Sequence, residues 1–227
     1  MHPRQRQSTL FPPQFYFMRL ISTILFCTLC YVSFSQEAGN AAYMAEINAH
    51  RQHYKNEFIS EPRSPLTARD TGLLDFYPPD PKWRIPARVK IIPKAPSFDM
   101  LTYSGDRRLY RIYATLQFDT DGRLYTLTLY QNLTLMANDS SYHDYLFLPF
   151  KDHTNGVETY GGGRYLDFRI NDIKKGVLIL DFNKNYNPYC AYSDGYSCPI
   201  PPRENHLDME VKAGERVFKK EPTPGKH

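Results

Sequence analysis

Residues 108–132, RLYRIYATLQFDTDGRLYTLTLYQN, carry the reading of the fold. Tyr110, Ile112, Ala114, Leu116 and Phe118 alternate with Leu109, Arg111, Tyr113, Thr115 and Gln117. That period of two belongs to a strand whose side chains point to opposite faces of a sheet. Asp121-Gly122 is a two-residue turn signal, since tight hairpins need residues that tolerate a left-handed backbone. Arg123–Asn132 then returns, with Tyr125, Leu127 and Leu129 opposing Thr126, Thr128 and Tyr130. The spacing predicts an antiparallel hairpin.

Outward from this hairpin the same signal recurs. Further strands are expected over residues 84–92, 144–150, 164–170 and 176–183. Residues 61–82 are rich in proline and poor in strand formers, and read as an extended connector ending at the sole tryptophan, Trp83. One stretch is helical. In residues 40–60, Tyr43, Ile47, His50, Tyr54 and Phe58 recur at spacings of three and four and make one apolar-aromatic stripe, closed by Pro62 and Pro65. Such a helix docks on a sheet. The expected fold is mainly β, an antiparallel sandwich or partly open barrel with one N-terminal α-helix packed on it.

Composition agrees with a folded domain. The chain has 227 residues, 41% of them hydrophobic, enough to fill a core. Aromatics are abundant, with 18 Tyr and 14 Phe. The net charge is +4, but Arg4, Arg6 and Arg19 lie in residues 1–35, which hold no acid. Without those three the chain has 25 basic and 24 acidic residues. A body so close to neutrality excludes a nucleic-acid or anionic-membrane binder.

Residues 18–35, MRLISTILFCTLCYVSFS, read as an export signal. Arg19 is its positive start, Leu20–Phe34 its apolar core, and Ser33-Phe34-Ser35 its small-x-small cleavage site. The core is shorter than the ~20 residues that span a bilayer. Translation from Met18, a mature start at Gln36 and no stable membrane anchor after cleavage are expected. The destination is periplasmic or extracellular. Residues 36–220 then form a single β-rich domain and 221–227 a tail.

Two motifs could carry chemistry. Glu158-Thr-Tyr-Gly-Gly-Gly-Arg164 reads either as a turn feeding a strand or as a loop presenting backbone N–H groups and Arg164 to an anionic or polar ligand. No Lys-Ser/Thr follows, so it is not a nucleotide loop. The strand 177–183 ends in Asp181 and Asn183, with Asn187 beyond, and reads either as a capped turn or as a site wall. If residues 171–176 make a hairpin, the strands at 164 and 181 lie side by side. Glu158, Tyr160, Arg164, Asp181, Asn183 and Asn187 would then gather at one end of the sheet.

Cys190 and Cys198 are the only cysteines after the export signal, and a disulfide is the default in an exported protein. Their spacing suits no zinc ribbon, so no metal and no cofactor is expected. A thiol or metal role for the pair stays open. His143 and His153 beside the 144–150 strand read as solvated surface residues, and no G-x-S-x-G nucleophile motif is present.

The stretches ETYGGGRYLD, DFNKNYNPYCAY and CPIPPREN, in that order, with EPRSPLTARDTGLLDFYPPDPKWRIPARV upstream, resemble the uncharacterised bacterial family of domain of unknown function sixteen eighty-four. The resemblance runs over residues 47–216 and is that of a short form, since many members carry an additional N-terminal β domain. It implies no established activity. Three functions therefore stand side by side. One is a cell-envelope module binding a small polar or sugar-like ligand. Another is a hydrolase-type enzyme using Glu158 or Asp181 with Arg164. The last is an interaction protein without a ligand pocket.

Overall fold

The 108–132 hairpin forms as expected. In the computed structural model, which describes residues 37 and 39–219, β3 (Arg107–Thr120) and β4 (Arg123–Asn132) pair antiparallel from Thr120↔Arg123 to Tyr110↔Asn132. Asp121 and Gly122 both take positive φ, 52° and 73°, the backbone that a two-residue turn of this hand requires. The export-signal reading of residues 18–35 and the tail 221–227 lie outside the described residues.

The hairpin departs from its sequence pattern at one point. The register steps from Ile112↔Tyr130 to Ala114↔Leu129, so β3 carries one extra residue there, a β-bulge. Because side chains alternate, one inserted residue moves everything beyond it to the other face. The run Tyr110 to Phe118, expected on one face, is therefore split. Tyr110 and Ile112 lie in an aromatic cluster with Met100, Tyr130, Phe147 and Tyr165. Ala114, Leu116 and Phe118 join the main core with Leu127, Leu129, Leu146, Leu148, Phe150, Leu166, Leu178 and Leu180.

Around the hairpin stand β1 (Arg84–Ile91), β2 (Ser97–Leu101), β5 (Tyr145–Phe150), β6 (Arg164–Arg169) and β7 (Val177–Asp181). The sheet order is β6-β5-β4-β3-β1-β7, with β2 also on β3, every pair antiparallel. The seven strands make a curled half-barrel. Strand β2 and a short helix (Leu133–Asn138) have no counterpart in the sequence reading. Pro96 precedes β2 and masks its signal, and the short helix is driven by its cap, in which Asn132 accepts from the Leu135 N–H.

The predicted hairpin between the strands at 164 and 181 does not form, and this corrects the sequence reading. β6 and β7 are opposite edges of the sheet. The turn signal was genuine: Lys175 and Gly176 have φ of 51° and 76°, and Lys174 and Val177 exchange both backbone hydrogen bonds. That turn only starts β7, because β6 has ended at Arg169 and residues Ile170–Asp172 are a 3-10 turn. β7 pairs with β1 instead, setting Leu178 and Leu180 opposite Ala87 and Ile85.

Beyond β7 the chain crosses to the far edge, where Tyr186 bridges Tyr165 of β6 through two backbone bonds of 2.9 and 3.1 Å. This crossing draws the two edges of the curled sheet toward each other.

The chain separates into two units, 1–45 and 46–227. The helix, over residues 39–60, begins in the first, which includes Tyr43 of the stripe. In the second unit Ile47 and Phe58 are buried, and Phe58 packs its ring on Tyr189 and Tyr192. The Tyr54 hydroxyl meets that of Tyr192 at 2.8 Å and donates to the Glu215 carboxylate at 3.1 Å. The helix thus packs on the sheet through the segment that follows β7. Burial lowers the His50 imidazole pKa first, with Lys184 adding to the effect, as befits a packed interface histidine.

Candidate functional site

The ETYGGGRY segment is built as a turn. Gly163 has φ of 96°, and a Cβ there would stand 2.6 Å from the Phe150 carbonyl oxygen. Gly162 lies under the rings of Tyr160 and Tyr103, where a Cβ would come within 2.2 Å of the Tyr160 ring. Only glycine fits at 163, and a side chain at 162 would have to displace the two rings. The Arg164 side chain has no exposed surface. Its Nη2 donates to Asp152 at 2.6 Å and to the Val211 carbonyl at 2.8 Å, and Nη1 donates to the Ala213 carbonyl at 2.6 Å. The acid paired with Arg164 is Asp152, not Asp181.

The other sequence candidates are engaged separately. Glu158 accepts from the Tyr77 hydroxyl at 2.9 Å and pairs with Lys212 at 3.1 Å. Lys212 and then Tyr77 lower its carboxyl pKa. Asp181 caps the 3-10 turn that follows β7, accepting from the Asn183 N–H at 3.1 Å. Asn183 clamps Asp80 with two backbone bonds of 2.9 Å. Asn187 donates its backbone N–H to Glu215 and its amide to the Arg216 carbonyl, both at 2.8 Å. Tyr160 packs its ring against Tyr103. Arg164 and Asn187, with Asn185, hold the backbone of residues 211–216 in place. None of the six lines the cavity on the aromatic side of the sheet.

That cavity, about 830 Å³, opens on the aromatic face of the sheet. Its wall follows from strand alternation beyond the bulge. β3 contributes Arg108 and Tyr110, β4 Asn132, β5 Tyr145 and Phe147, and β6 Tyr165. The segment after β7 adds Tyr186, Tyr189 and Tyr196. The cysteine loop closes one side, with Cys190 and Cys198 joined as a disulfide. Closing so short a loop stabilises by roughly 2–3 kcal/mol.

The ring positions are fixed by polar tips. The Tyr145 and Tyr186 hydroxyls donate to the two oxygens of Asp167 at 2.6 and 2.7 Å. The Tyr165 hydroxyl donates to the Pro199 carbonyl. Asn132 donates to the Tyr110 hydroxyl at 2.9 Å. Burial raises the Tyr145, Tyr165 and Tyr186 pKa values well above the usual phenol range. The dense protein surround also raises the Asp167 carboxyl, and the two phenols partly offset it. Asp167 itself keeps solvent access, so its two short hydrogen bonds, rather than its titration, define its role. Among the described residues, no group of three or more His, Cys, Asp or Glu side chains could hold a metal ion.

Sequence reasoning missed this constellation because its members are scattered from 108 to 196. A tyrosine on a strand reads first as core. The available signal was density: Tyr186, Tyr189, Tyr192 and Tyr196 fall within one short segment.

A family model described as protein of unknown function (DUF1684) matches residues 71–216. The chain belongs to the DUF1684 family. It is also similar to an uncharacterized protein of Haloarcula marismortui solved by solution NMR, with 36% identity over 78% of this chain and 95% of that one and a TM-score of 0.61. No curated protein matches the chain. The DUF1684 match contains both the ETYGGGRY turn and every cavity residue from the strands.

Proposed function

We propose that this DUF1684 chain is a non-catalytic binding module whose aromatic cavity holds a small polar, sugar-like ligand, and that it works outside the cytoplasm. The cavity carries the reading. Its volume falls within the range of small-molecule sites, and its wall joins aromatic faces to a few fixed polar groups. Phenol rings suit this task because they offer a flat apolar face and a hydrogen-bonding edge at little entropic cost. The export reading is supported by the 18–35 segment and by the disulfide, since such bonds persist in oxidising compartments. The hydrolase reading is less well supported. It needs Glu158 or Asp181 to act with Arg164, whereas Glu158 is engaged by Tyr77 and Lys212, and Arg164 by Asp152.

The test is a titration of isotope-labelled protein with monosaccharides, followed by amide chemical shifts. Shifts confined to residues around Tyr110, Phe147, Tyr165 and Tyr196 are expected. A saturable response elsewhere, with this region silent, would overturn the assignment of the cavity. Fusion of residues 18–60 to a phosphatase active only outside the cytoplasm tests the export reading, which an inactive fusion would sink.

A further inference from the structure

We infer that the cavity takes a ring bearing one anionic group, a carboxylate or a phosphate, which docks on Arg108. The inference rests on the binding reading above and narrows it to a ligand class.

Most polar groups of the wall already have protein partners. Asn132 spends its oxygen on the Leu135 N–H and its amide on Tyr110. Tyr145 and Tyr186 are committed to Asp167, and Tyr165 to Pro199. Ser197 is tied to Thr102 and Asp106. Arg108 is the one cation of the wall that stands on a strand of the sheet. Among the described residues its guanidinium makes no hydrogen bond and no ion pair, although it is half-buried and lines the cavity. It lies opposite the buried Met100 in the β2–β3 register and two residues from Tyr110, so it stands on the aromatic face.

The nearby acid forms no ion pair with it. Asp106 is held by the hydroxyls of Ser104 and Ser197, at 2.8 and 3.0 Å, which lower its pKa, with a weaker contribution from the Arg108 charge. The other charged residues of the cavity, Glu61, Arg63 and Asp194, are exposed at its rim. A guanidinium that lines a cavity without a hydrogen-bonding partner has its donors available to a ligand. Its planar fork of N–H donors matches the two oxygens of a carboxylate or phosphate. Beside it, the Tyr110 hydroxyl accepts from Asn132 and keeps its own proton to donate. Burial raises that phenol's pKa, so the proton stays in place. Arginine fork, phenol donor and aromatic faces together describe a cyclic acid.

The experiment titrates the full chain with D-glucuronate, D-glucose 6-phosphate and D-glucose, read by amide shifts, in the wild type and in Arg108→Gln and Arg108→Lys. At least one of the two anions should bind about tenfold or more tighter than glucose, because hydrogen bonds to charged groups are the stronger ones. Arg108→Gln should abolish that preference, and Arg108→Lys should restore part of it. Which anion wins separates a carboxylate site from a phosphate site. Thermal melts of both variants confirm that the fold is kept. If glucose binds as tightly as both anions, or Arg108→Gln keeps the preference, the anionic class is overturned while the binding reading stands. If none of the three moves a cavity resonance, the binding reading falls and this inference with it.

Discussion

The two faces of the sheet use different chemistry for different ends. On one, Leu116, Leu127, Leu129, Leu146, Leu148 and Leu166 are sealed from solvent. On the other, Tyr110, Phe147 and Tyr165 present rings to a cavity and anchor two of their hydroxyls. Branched aliphatic side chains fill space without polar atoms, so that face can close completely. Phenols cannot be buried without a partner for each hydroxyl, and those partners hold the rings in place around open volume. The bulge between Ile112 and Ala114 lets one strand serve both faces. The comparison predicts that stability is concentrated on and around the aliphatic face, and that the cavity face tolerates change.

The largest effect is expected at Arg164, which supports the closed side by holding residues 211–215 against it. Arg164→Met would strand the buried Asp152 carboxylate, leave the Val211 carbonyl unpaired and leave the Ala213 carbonyl with Asn185 alone. Breaking a buried pair from one side costs about 4–5 kcal/mol. Urea melts should show that loss, and one below about 1 kcal/mol would mean that the pair is dispensable.

Asn205 comes next. β4 and β5 share only the Tyr130↔Phe147 pair. Where the ladder opens, Asn205 fills it, accepting from the Thr128 N–H at 2.6 Å and donating to the Thr128 and Pro149 carbonyls at 2.8 and 2.7 Å. Asn205→Ala leaves three buried backbone groups without partners, for about 3–4 kcal/mol. Loss of amide-exchange protection at Thr128 would localise the damage, and an unchanged rate there would contradict the wedge.

These two residues show what the sequence could and could not reveal. Period-two alternation marked β1, β3, β4, β5, β6 and β7, because each half-buried or buried strand writes its faces into its own residues. The Asp121-Gly122 and Lys175-Gly176 turns were also legible, since positive φ demands particular residues. Strand partners beyond the β3–β4 hairpin were not legible. Nothing local tells β7 to pair with β1 rather than β6, and the grouping of Arg164 with Asp181 fell with that hairpin. The bulge was invisible for a related reason: Tyr113 looks like any alternating residue until the partner strand supplies the register. ETYGGGRY and CPIPPREN were conspicuous as motifs, and the contacts of Arg164 and Asn205 explain them as internal framework. The cavity was hidden because its residues come from six separate segments.

Glu215 offers a pH-dependent version of the comparison. It is fully buried, and desolvation raises its pKa from 4.5 to about 7 despite donors from Tyr192, Asn187 and Tyr54. A carboxyl whose pKa is raised on folding favours the folded state most below pH about 4.5, and that contribution is lost as pH rises through about 7. The shift corresponds to about 3 kcal/mol. Stability measured at pH 5 and pH 8 should fall in the wild type relative to Glu215→Gln, which has no proton to lose. Parallel pH profiles for the two proteins would show that Glu215 ionises freely in the fold.

The smallest stability effect is expected on the cavity face, and it separates the two faces most sharply. Tyr196 is half-buried, stacks edge-on against Tyr189 at 5.3 Å and donates its hydroxyl to the Arg63 carbonyl at 2.8 Å. It lines the cavity from the disulfide-closed loop, so the backbone that carries it is held by Cys190–Cys198 whatever its side chain. Tyr196→Ala removes one partly exposed ring and one rim hydrogen bond, for about 1 kcal/mol. Leu129→Ala, on the sealed face, opens a cavity where none can be refilled and should cost about 3 kcal/mol. The two variants should exchange rank when binding is measured. Tyr196→Ala should weaken glucuronate or glucose 6-phosphate binding by about tenfold, because it deletes a ring from the wall that holds the ligand. Leu129→Ala, while folded, should bind as the wild type does. Equal losses of stability at the two sites would mean that the tyrosine face is ordinary core, and the division of labour between the faces would have to be given up.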